Sequence, residues 1–487
     1  MNRRPSAVSA LWLALGLSLV SAGASAQMLP VKPPAATTET ELELGRMTKP
    51  QEVFQRMQEY HALKDWRRYT YAVKRLTELR PYSSKLMYEL ARGYALQADK
   101  AGTYDTLIKL QQQGMKYDPS KDPDFDKVRD TPAYEYIVKG LQANANPFGS
   151  GKLAFTVDAQ QLTAPNEDEL IESLAFDAKT STMYAGSIHS GTVFKVDYKT
   201  GRTTPWMVAD AEENHYGVFS MTIDSARRRL WLGTASVSLY DGYLPQEDFG
   251  RATLVEVDLD TGKRIKAHAI PFDGKPHVPA ALALAPNGDI YATDAVLPTI
   301  YQLRDGKVKA LFASPALTGL RGLVVSADNK YVYFSDYETG LYGADLGRNE
   351  VFRLTAPKQN LGSIDGLYLS GSMLVAVQNG TNPQRVMRVL LDPRDARVIA
   401  SVVPLEANKP EFRMPSNGVL VGKDLYFIAN SQLSIYGVDG KIIEGQKPVP
   451  RQVFVASLDQ PLPEAPKPPP QLGRGTPADS ATPPAGR

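Results

Sequence analysis

The chain contains no cysteine among its 487 residues, which excludes disulfide bridges and thiol nucleophiles. Histidine is also scarce, with five residues, so few side chains are available as general bases that titrate near neutral pH. No excess of either charge is present, because 55 Lys and Arg stand against 53 Asp and Glu, for a formal net charge of +2. Nucleic-acid binding needs a concentrated basic face, so the composition argues against a nucleic-acid partner.

The single apolar run near the N-terminus, Trp12 to Val20, is too short to span a bilayer. It follows the basic stretch Asn2-Arg3-Arg4 and precedes Ala24-Ser25-Ala26, which has the small-x-small pattern of a cleavage site. These features predict a signal peptide over residues 1–26, a periplasmic or secreted mature protein, and no membrane span. The polar, Pro-rich residues 27–48 are predicted to be a linker.

Residues 49–145 have a helical period. Val53 and Met57 share one helix face, Pro81 ends a helix, and Thr131, which a proline follows, is typical of an N-cap. The segment resembles degenerate tetratricopeptide repeats, although the usual tryptophan and Leu-Gly pair are missing. Two interpretations stay open: a module that docks a protein partner, and a helical cap packed on the domain that follows.

Within residues 150–460, one design recurs from about residue 172 to about residue 440, and its most regular copy is GLRGLVVSADNKYVYFSDYETGLYGADL, from Gly319 to Leu346. Each copy has an apolar strand, a turn, a second strand, a loop, and a third strand that ends in Asp. Recurrence every 40 to 50 residues, roughly, is typical of a propeller. Six copies end at Asp197, Asp258, Asp305, Asp345, Asp392 and Asp439.

The fold class that follows is mainly β: a six-bladed β-propeller preceded by a small all-α domain. A ring of blades must also be closed, and two spare strands, Leu153–Val157 and Gln452–Leu458, are available for that purpose. We expect one or both of them to complete the last blade.

The C-terminal residues 461–487 are rich in Pro, Ala and Gly and have no periodicity. Such a composition cannot bury enough apolar surface to offset the entropy of ordering the chain. The sequence therefore predicts a disordered tail that is dispensable for stability.

Polar side chains recur at equivalent positions of the repeat, where the loops of one face surround the channel mouth. A single Asp or Asn at a strand end is usually a turn former, but convergence of several polar groups in a concave place indicates a small-molecule site. One set begins the inner strands: Glu172, Phe219, Ala280, Arg321, Asp365 and Asn417. The other set follows the second strands: His189, Asp294, Asp336, Asn379 and Asn430.

Three histidines are the plausible general bases, because each is placed in or near these loops. His189 belongs to the second set, and His215 and His277 lie just upstream of inner strands. No G-x-S-x-G nucleophile elbow is present in the sequence.

Four phrases carry a resemblance to a known family: Glu172-x-Leu174-x-Phe176-Asp177, "APNGDIYATD", "SADNKYVYFSD" and "IDGLYL". They resemble the SMP-30/gluconolactonase superfamily, which includes strictosidine-synthase-like and paraoxonase-like propellers. The resemblance implies a divalent metal, usually calcium, at the channel mouth, and hydrolysis of lactones or esters. Of the four positions that begin inner strands and hold the family's ligands, Glu172 and Asp365 match, whereas Ala280 and Arg321 replace asparagines.

The replacement by Arg321 weakens the metal signature, because a guanidinium donates no ligand oxygen and repels a cation. We expect Arg321 to lie between Glu172 and Asp365 and to supply the metal's charge. Two functions stay open: an exported lactone or ester hydrolase, and a non-catalytic propeller that binds a small or peptide ligand at the mouth while the helices dock a partner.

Overall fold

The computed structural model describes residues 38–157 and 169–461. The predicted signal peptide, the first half of the predicted linker and nearly all of the predicted tail lie outside these residues. Among the helices of the described residues, none is long and apolar enough to cross a bilayer.

The first described segment is helical. Thr131 caps the last helix as predicted, since its hydroxyl accepts the backbone N–H of Tyr134 at 3.2 Å. The linker prediction is wrong from Thr38 onward, because Leu44 of the first helix is 2% exposed and packs into the core of the next two helices. The helices are α1 Thr38–Arg46, α2 Pro50–Ala62, α3 Trp66–Leu79, α4 Ser84–Leu96, α5 Lys100–Gln112 and α6 Pro132–Ala143, with a 3-10 turn at Pro123–Phe125.

Six four-stranded antiparallel sheets follow, and the predicted six-bladed, mainly β propeller is confirmed. Second strands such as β15 (Tyr331–Asp336) are buried along their whole length between neighbouring blades, whereas outer strands such as β13 (Lys307–Ala313) are largely exposed. Blades one to three are β2–β5 (Ile171–Asp177, Thr182–Ser187, Val193–Val196, Thr203–Met207), β6–β9 (Gly217–Asp224, Arg229–Ala235, Ala252–Asp258, Arg264–Ala269) and β10–β13 (Pro279–Leu284, Ile290–Asp294, Thr299–Arg304, Lys307–Ala313). Blades four and five are β14–β17 (Leu320–Val325, Tyr331–Asp336, Gly340–Asp345, Glu350–Arg353) and β18–β21 (Ile364–Ser370, Met373–Gln378, Arg385–Asp392, Asp395–Ala407).

The sixth blade closes the ring with both spare strands. Its strands run in the order β22 Gly418–Val421, β23 Asp424–Ile428, β24 Arg451–Ser457 and β1 Lys152–Val157. The prediction of a third strand that ends at Asp439 is wrong. Its apolar residues instead form a 3-10 turn, Leu433–Ile435, and with Tyr436 they pack against the core of blades two and three.

The helical segment packs on loops of blades four and five. Tyr82, in the turn after α3, lies against Gly340 and Gly362, where any side chain would collide with it. The Nδ2 of Asn360 donates to the Tyr82 carbonyl at 2.7 Å. This packing agrees with the cap interpretation, and docking of a protein partner stays a prediction.

Candidate functional site

A β-bulge at the start of the inner strands of blades one to five builds the site. The pairing of inner and second strands skips a residue in blades one to five, as between Ile171 and Ser173 and between Ile364 and Gly366. A bulged residue leaves the ladder and its side chain is re-aimed. The six residues predicted to begin inner strands all line one inner cavity of about 80 Å³: Glu172, Phe219, Ala280, Arg321, Asp365 and Asn417.

A second ring of side chains reaches the same cavity from the loops after the second strands. In blades one, three, four and five the backbone N–H bonds back to the residue before the inner strand, for example Tyr337 to the Gly319 carbonyl at 3.0 Å, and in blade six the Ser431 N–H bonds to the Met414 carbonyl at 3.1 Å. The members are Ile188, Ala295, Tyr337, Asn379 and Ser431. Of the residues predicted at these positions, Asn379 lines the inner cavity, whereas Asp294, Asp336 and Asn430 each lie one position earlier and do not.

Asp336 anchors loops instead of facing the cavity. It is fully buried, and its Oδ2 accepts the backbone N–H groups of Thr318 at 2.5 Å and Gly319 at 3.0 Å. Its Oδ1 accepts the N–H groups of Glu338 at 3.2 Å and Thr339 at 2.8 Å. One carboxylate thus joins the loop that enters blade four to the loop that leaves its second strand.

Asp294 does the same in blade three and also holds His277. Its Oδ1 accepts the N–H of Val278 at 3.2 Å and of Val296 at 2.9 Å, and its Oδ2 lies 2.7 Å from Nδ1 of His277. The other ring nitrogen of His277 is 3.3 Å from Oδ1 of Asp273. Asp294 therefore holds this imidazole outside the inner cavity, with Asp273 near its other nitrogen.

The two remaining histidines also lie away from the inner cavity. His215 is fully buried, with its Nδ1 3.2 Å from the Arg264 guanidinium, and burial lowers the pKa of His215 to about 3. His189 is buried with its ring edge-on to Tyr436, at 4.9 Å between centroids. The catalytic role predicted for the three histidines stays a prediction, and none of them lines the inner cavity.

Glu172 is the acid at the cavity wall, and its partners come from blade six. It is 3% exposed, its Oε2 accepts from the Ser416 hydroxyl at 3.1 Å, and its Oε1 accepts from the Gln432 N–H at 3.3 Å. Burial raises the pKa of Glu172 to about 7, against the opposing charge of Arg451, whose Nε is 3.9 Å from Oε1. Sequence reasoning missed Arg451, although a charged residue at the head of the apolar strand QVFVAS was a usable signal.

Arg321 pairs with one carboxylate rather than two. Its Nε lies 3.7 Å from Oδ1 of Asp365, and each side chain is 19% exposed, toward the cavity. Burial raises the pKa of Asp365, and the Arg321 charge opposes that rise. The guanidinium also lies 5.8 Å from the centre of the Tyr337 ring. The predicted position between Glu172 and Asp365 is therefore corrected, because the nearby cation that opposes the Glu172 charge is Arg451.

The residues at the mouth do not fit a calcium ion. Calcium takes about six to eight oxygen ligands, and here each of the two carboxylates has a guanidinium within 4.0 Å. Over residues 38–157 and 169–461, no three His, Asp or Glu side chains gather in a group that could hold a metal. The carboxylates matched by the resemblance thus lie in two separate ion pairs.

The inner cavity has two unlike halves. The polar lining comes from blades four to six and from Glu172 of blade one, and the apolar lining comes from blades two and three, from Ile188 of blade one and from Met414 and Leu433 of blade six. On the polar side, the Tyr337 hydroxyl donates to Oδ1 of Asn379 at 2.8 Å, and Nδ2 of Asn417 donates to the Glu172 carbonyl at 3.2 Å. The apolar lining is Ile188, Phe219, Val278, Ala280, Ala295, Met414 and Leu433.

No protein-family model and no curated protein matches the chain. Among solved structures, a gluconolactonase from Xanthomonas campestris is similar over 65% of this chain and 100% of its own, at 14% identity and a TM-score of 0.40. An aldose sugar dehydrogenase from Streptomyces coelicolor covers 64% of this chain and 99% of its own, at 14% identity and a TM-score of 0.41. A virginiamycin B lyase from Staphylococcus aureus covers 63% and 100%, at 13% identity and a TM-score of 0.40. All three are β-propellers, and the likeness is one of architecture.

Proposed function

We propose that this propeller binds a small molecule through a carbonyl oxygen, of the lactone or ester class, at the inner cavity. The observation that carries the proposal is Arg321, which lines the cavity together with the Tyr337 and Asn379 side chains and the apolar residues of blades two and three. Its Nη1 donates to the Leu320 carbonyl at 3.0 Å, but the 3.7 Å distance from its Nε to Asp365 is longer than a direct hydrogen bond, so the Nε side of the guanidinium can turn to a ligand. A neutral carbonyl suits this place better than an anion, because Asp365 repels a second negative charge.

Lactone or ester hydrolysis is the second candidate function, and Glu172 is the observation that favours it. A general base works best with a pKa near the operating pH, and burial raises the pKa of Glu172 to about 7. In this reaction Glu172 takes a proton from water while the water oxygen bonds the carbonyl carbon. Arg321 lies beside the developing oxyanion, the acyl C–O bond breaks, and the proton passes to the departing oxygen.

A panel of γ- and δ-lactones and their open-chain methyl esters tests both candidates by calorimetric titration. We expect Arg321→Gln to weaken binding at least tenfold, because it removes a charged donor worth roughly 1.5–3 kcal/mol. Arg394→Gln is the matched control, since Arg394 is 90% exposed beside Asp392. Unchanged affinity in Arg321→Gln contradicts the proposed site. If the protein releases acid from the lactone, so that base must be added to keep the pH constant, and this release disappears in Glu172→Gln, the protein is a hydrolase. If the ligand binds without release of acid, the protein is a binding protein.

Calcium affinity gives an independent prediction. We expect the unmodified protein to bind calcium more weakly than about 1 mM, the weak end for extracellular calcium sites. Arg321→Asn exchanges the guanidinium for an amide oxygen next to Asp365 and should raise the affinity about tenfold by calorimetric titration, whereas Arg394→Asn should not. Tight binding by the unmodified protein, unaltered by Arg321→Asn, would contradict this and favour a metal-dependent hydrolase.

A further inference from the structure

A larger cavity lies beside the inner cavity, against blades five and six. It measures about 540 Å³, and Met414 and Ser431 line both cavities. We call it the vestibule; its walls are segments of residues 381–384, 408–414 and 430–449. Ligand pockets usually measure about 300–1,000 Å³, so the inner cavity of about 80 Å³ has room for one functional group, and the body of a ligand extends beyond it. A cavity of about 340 Å³ along the inner strands also borders it, sharing Ala280 and Asn417, but the vestibule is larger and carries the charged side chains.

The ionisable side chains of the vestibule are all basic. Lys409, Arg413 and Lys447 line it, and no Asp or Glu does so among the described residues. Lys409 already forms an ion pair, because its Nζ lies 3.0 Å from the fully buried Glu406 carboxylate. Arg413 and Lys447 are exposed at the wall of the vestibule. A concave wall that carries one sign of charge raises the local concentration of ligands of the opposite sign.

The vestibule walls are held in place before any ligand arrives. The Oε1 of Gln384 accepts the Met414 N–H at 2.9 Å, and its Nε2 donates to the Asn379 carbonyl at 2.9 Å. The helical domain fixes the same loop, since the Lys116 N–H donates to the Asn382 carbonyl at 2.7 Å and Nδ2 of Asn382 donates to the Lys116 carbonyl at 2.6 Å. A site whose loops are already ordered loses little entropy on binding.

From these observations we infer that the vestibule binds the body of the ligand and a terminal carboxylate, through Arg413 and Lys447. This inference rests on the proposed function, which places the carbonyl end at Arg321. The ligand class is then a lactone or ester with an acidic side chain. The helical cap is part of the site because it fixes one vestibule wall.

The test uses a γ-butyrolactone with a five-carbon side chain that ends in a carboxylate, and its methyl ester. The full-length protein should bind the carboxylate about tenfold more tightly than the ester at low ionic strength, and less so as salt is added, because exposed charges are screened. The double variant Arg413→Gln/Lys447→Gln should abolish the difference. The control Arg394→Gln/Lys423→Gln removes two exposed charges that pair with Asp392 and Asp459 and should keep the difference.

Equal affinity for carboxylate and ester, or a tenfold ratio that survives Arg413→Gln/Lys447→Gln, overturns the inference and leaves the proposed function standing. Arg321→Gln should weaken both lactones equally and preserve their ratio. Pimelate, a dicarboxylate without a lactone, separates the two failures. If neither lactone binds, but pimelate binds to the unmodified protein and not to the double variant, the proposed function is contradicted and the carboxylate site in the vestibule is supported. If pimelate binds equally well to the double variant, the carboxylate site in the vestibule is contradicted.

Discussion

Asp336→Ala should lower the free energy of unfolding by about 4 kcal/mol. The carboxylate is fully buried and accepts four backbone N–H groups, from Thr318, Gly319, Glu338 and Thr339. Each buried donor that loses its acceptor costs about 1–3 kcal/mol of stability. Water that enters the space left by the smaller alanine side chain can bond some of these donors and so reduces the total cost. Urea denaturation of the two proteins measures the difference.

Asp328→Ala is the matched control for this prediction, because Asp328 lies in the exposed turn of the same blade. It accepts from Ser326 at 2.6 Å and from the Lys330 N–H at 3.1 Å, and its loss should cost less than about 1 kcal/mol. Asp336→Asn keeps one acceptor oxygen and should fall between the two alanine variants. An Asp336→Ala protein as stable as the Asp328→Ala protein would contradict this prediction, because it would show that the two blade-four loops keep their structure without the Asp336 carboxylate.

Glu172→Gln should remove a large part of the pH dependence of stability. Burial raises the folded pKa of Glu172 from an ordinary value of 4.5 to about 7. Each unit is worth about 1.4 kcal/mol, so the unmodified protein should lose about 3 kcal/mol from this group between pH 4 and pH 8. The sign follows from the raised pKa: the stabilisation is fully present below pH 4.5 and is lost as the pH rises through 7.

The two proteins should thus be equally stable at pH 4, and Glu172→Gln should be more stable by about 3 kcal/mol at pH 8. Arg451→Met removes the opposing charge 3.9 Å away and should make the total loss of stability between pH 4 and pH 8 larger, while Glu444→Gln, an exposed position, should change nothing. Thermal melts across this pH range measure all four proteins. A Glu172→Gln protein less stable than the unmodified one at pH 8 would mean that Arg451 outweighs desolvation.

Residues that begin the inner strands were predictable because the signal is local. Glu172, Arg321 and Asp365 each precede a short apolar run in the same repeat position, and the bulge there recurs from blade to blade. The loop positions were harder. Asp336 and Asn379 look equivalent in the sequence, but Asp336 ends its strand and Asn379 follows one, and a shift of one residue turns a side chain to the other face.

The sixth copy shows where local pattern misleads. The segment Leu433–Ile435 has the apolar character of a strand, yet it forms a 3-10 turn that packs on blades two and three. The true third strand begins at Arg451, after a long loop. Strand propensity reflects how well side chains pack on a half-buried pleated sheet. Here the apolar side chains of the segment pack instead on the apolar surface of blades two and three.

By itself, the sequence determined the six blades, the two closing strands and the ring of residues that begin the inner strands, because alternation, turn residues and repeat period act between near neighbours. Only the tertiary structure decided which charges meet. Arg321 faces Asp365 in the adjacent blade, and Glu172 faces Arg451 across the closure of the ring. Closing the ring brings residues far apart in the chain together, and burial there, rather than any feature of the neighbouring sequence, raises the pKa of Glu172 to about 7.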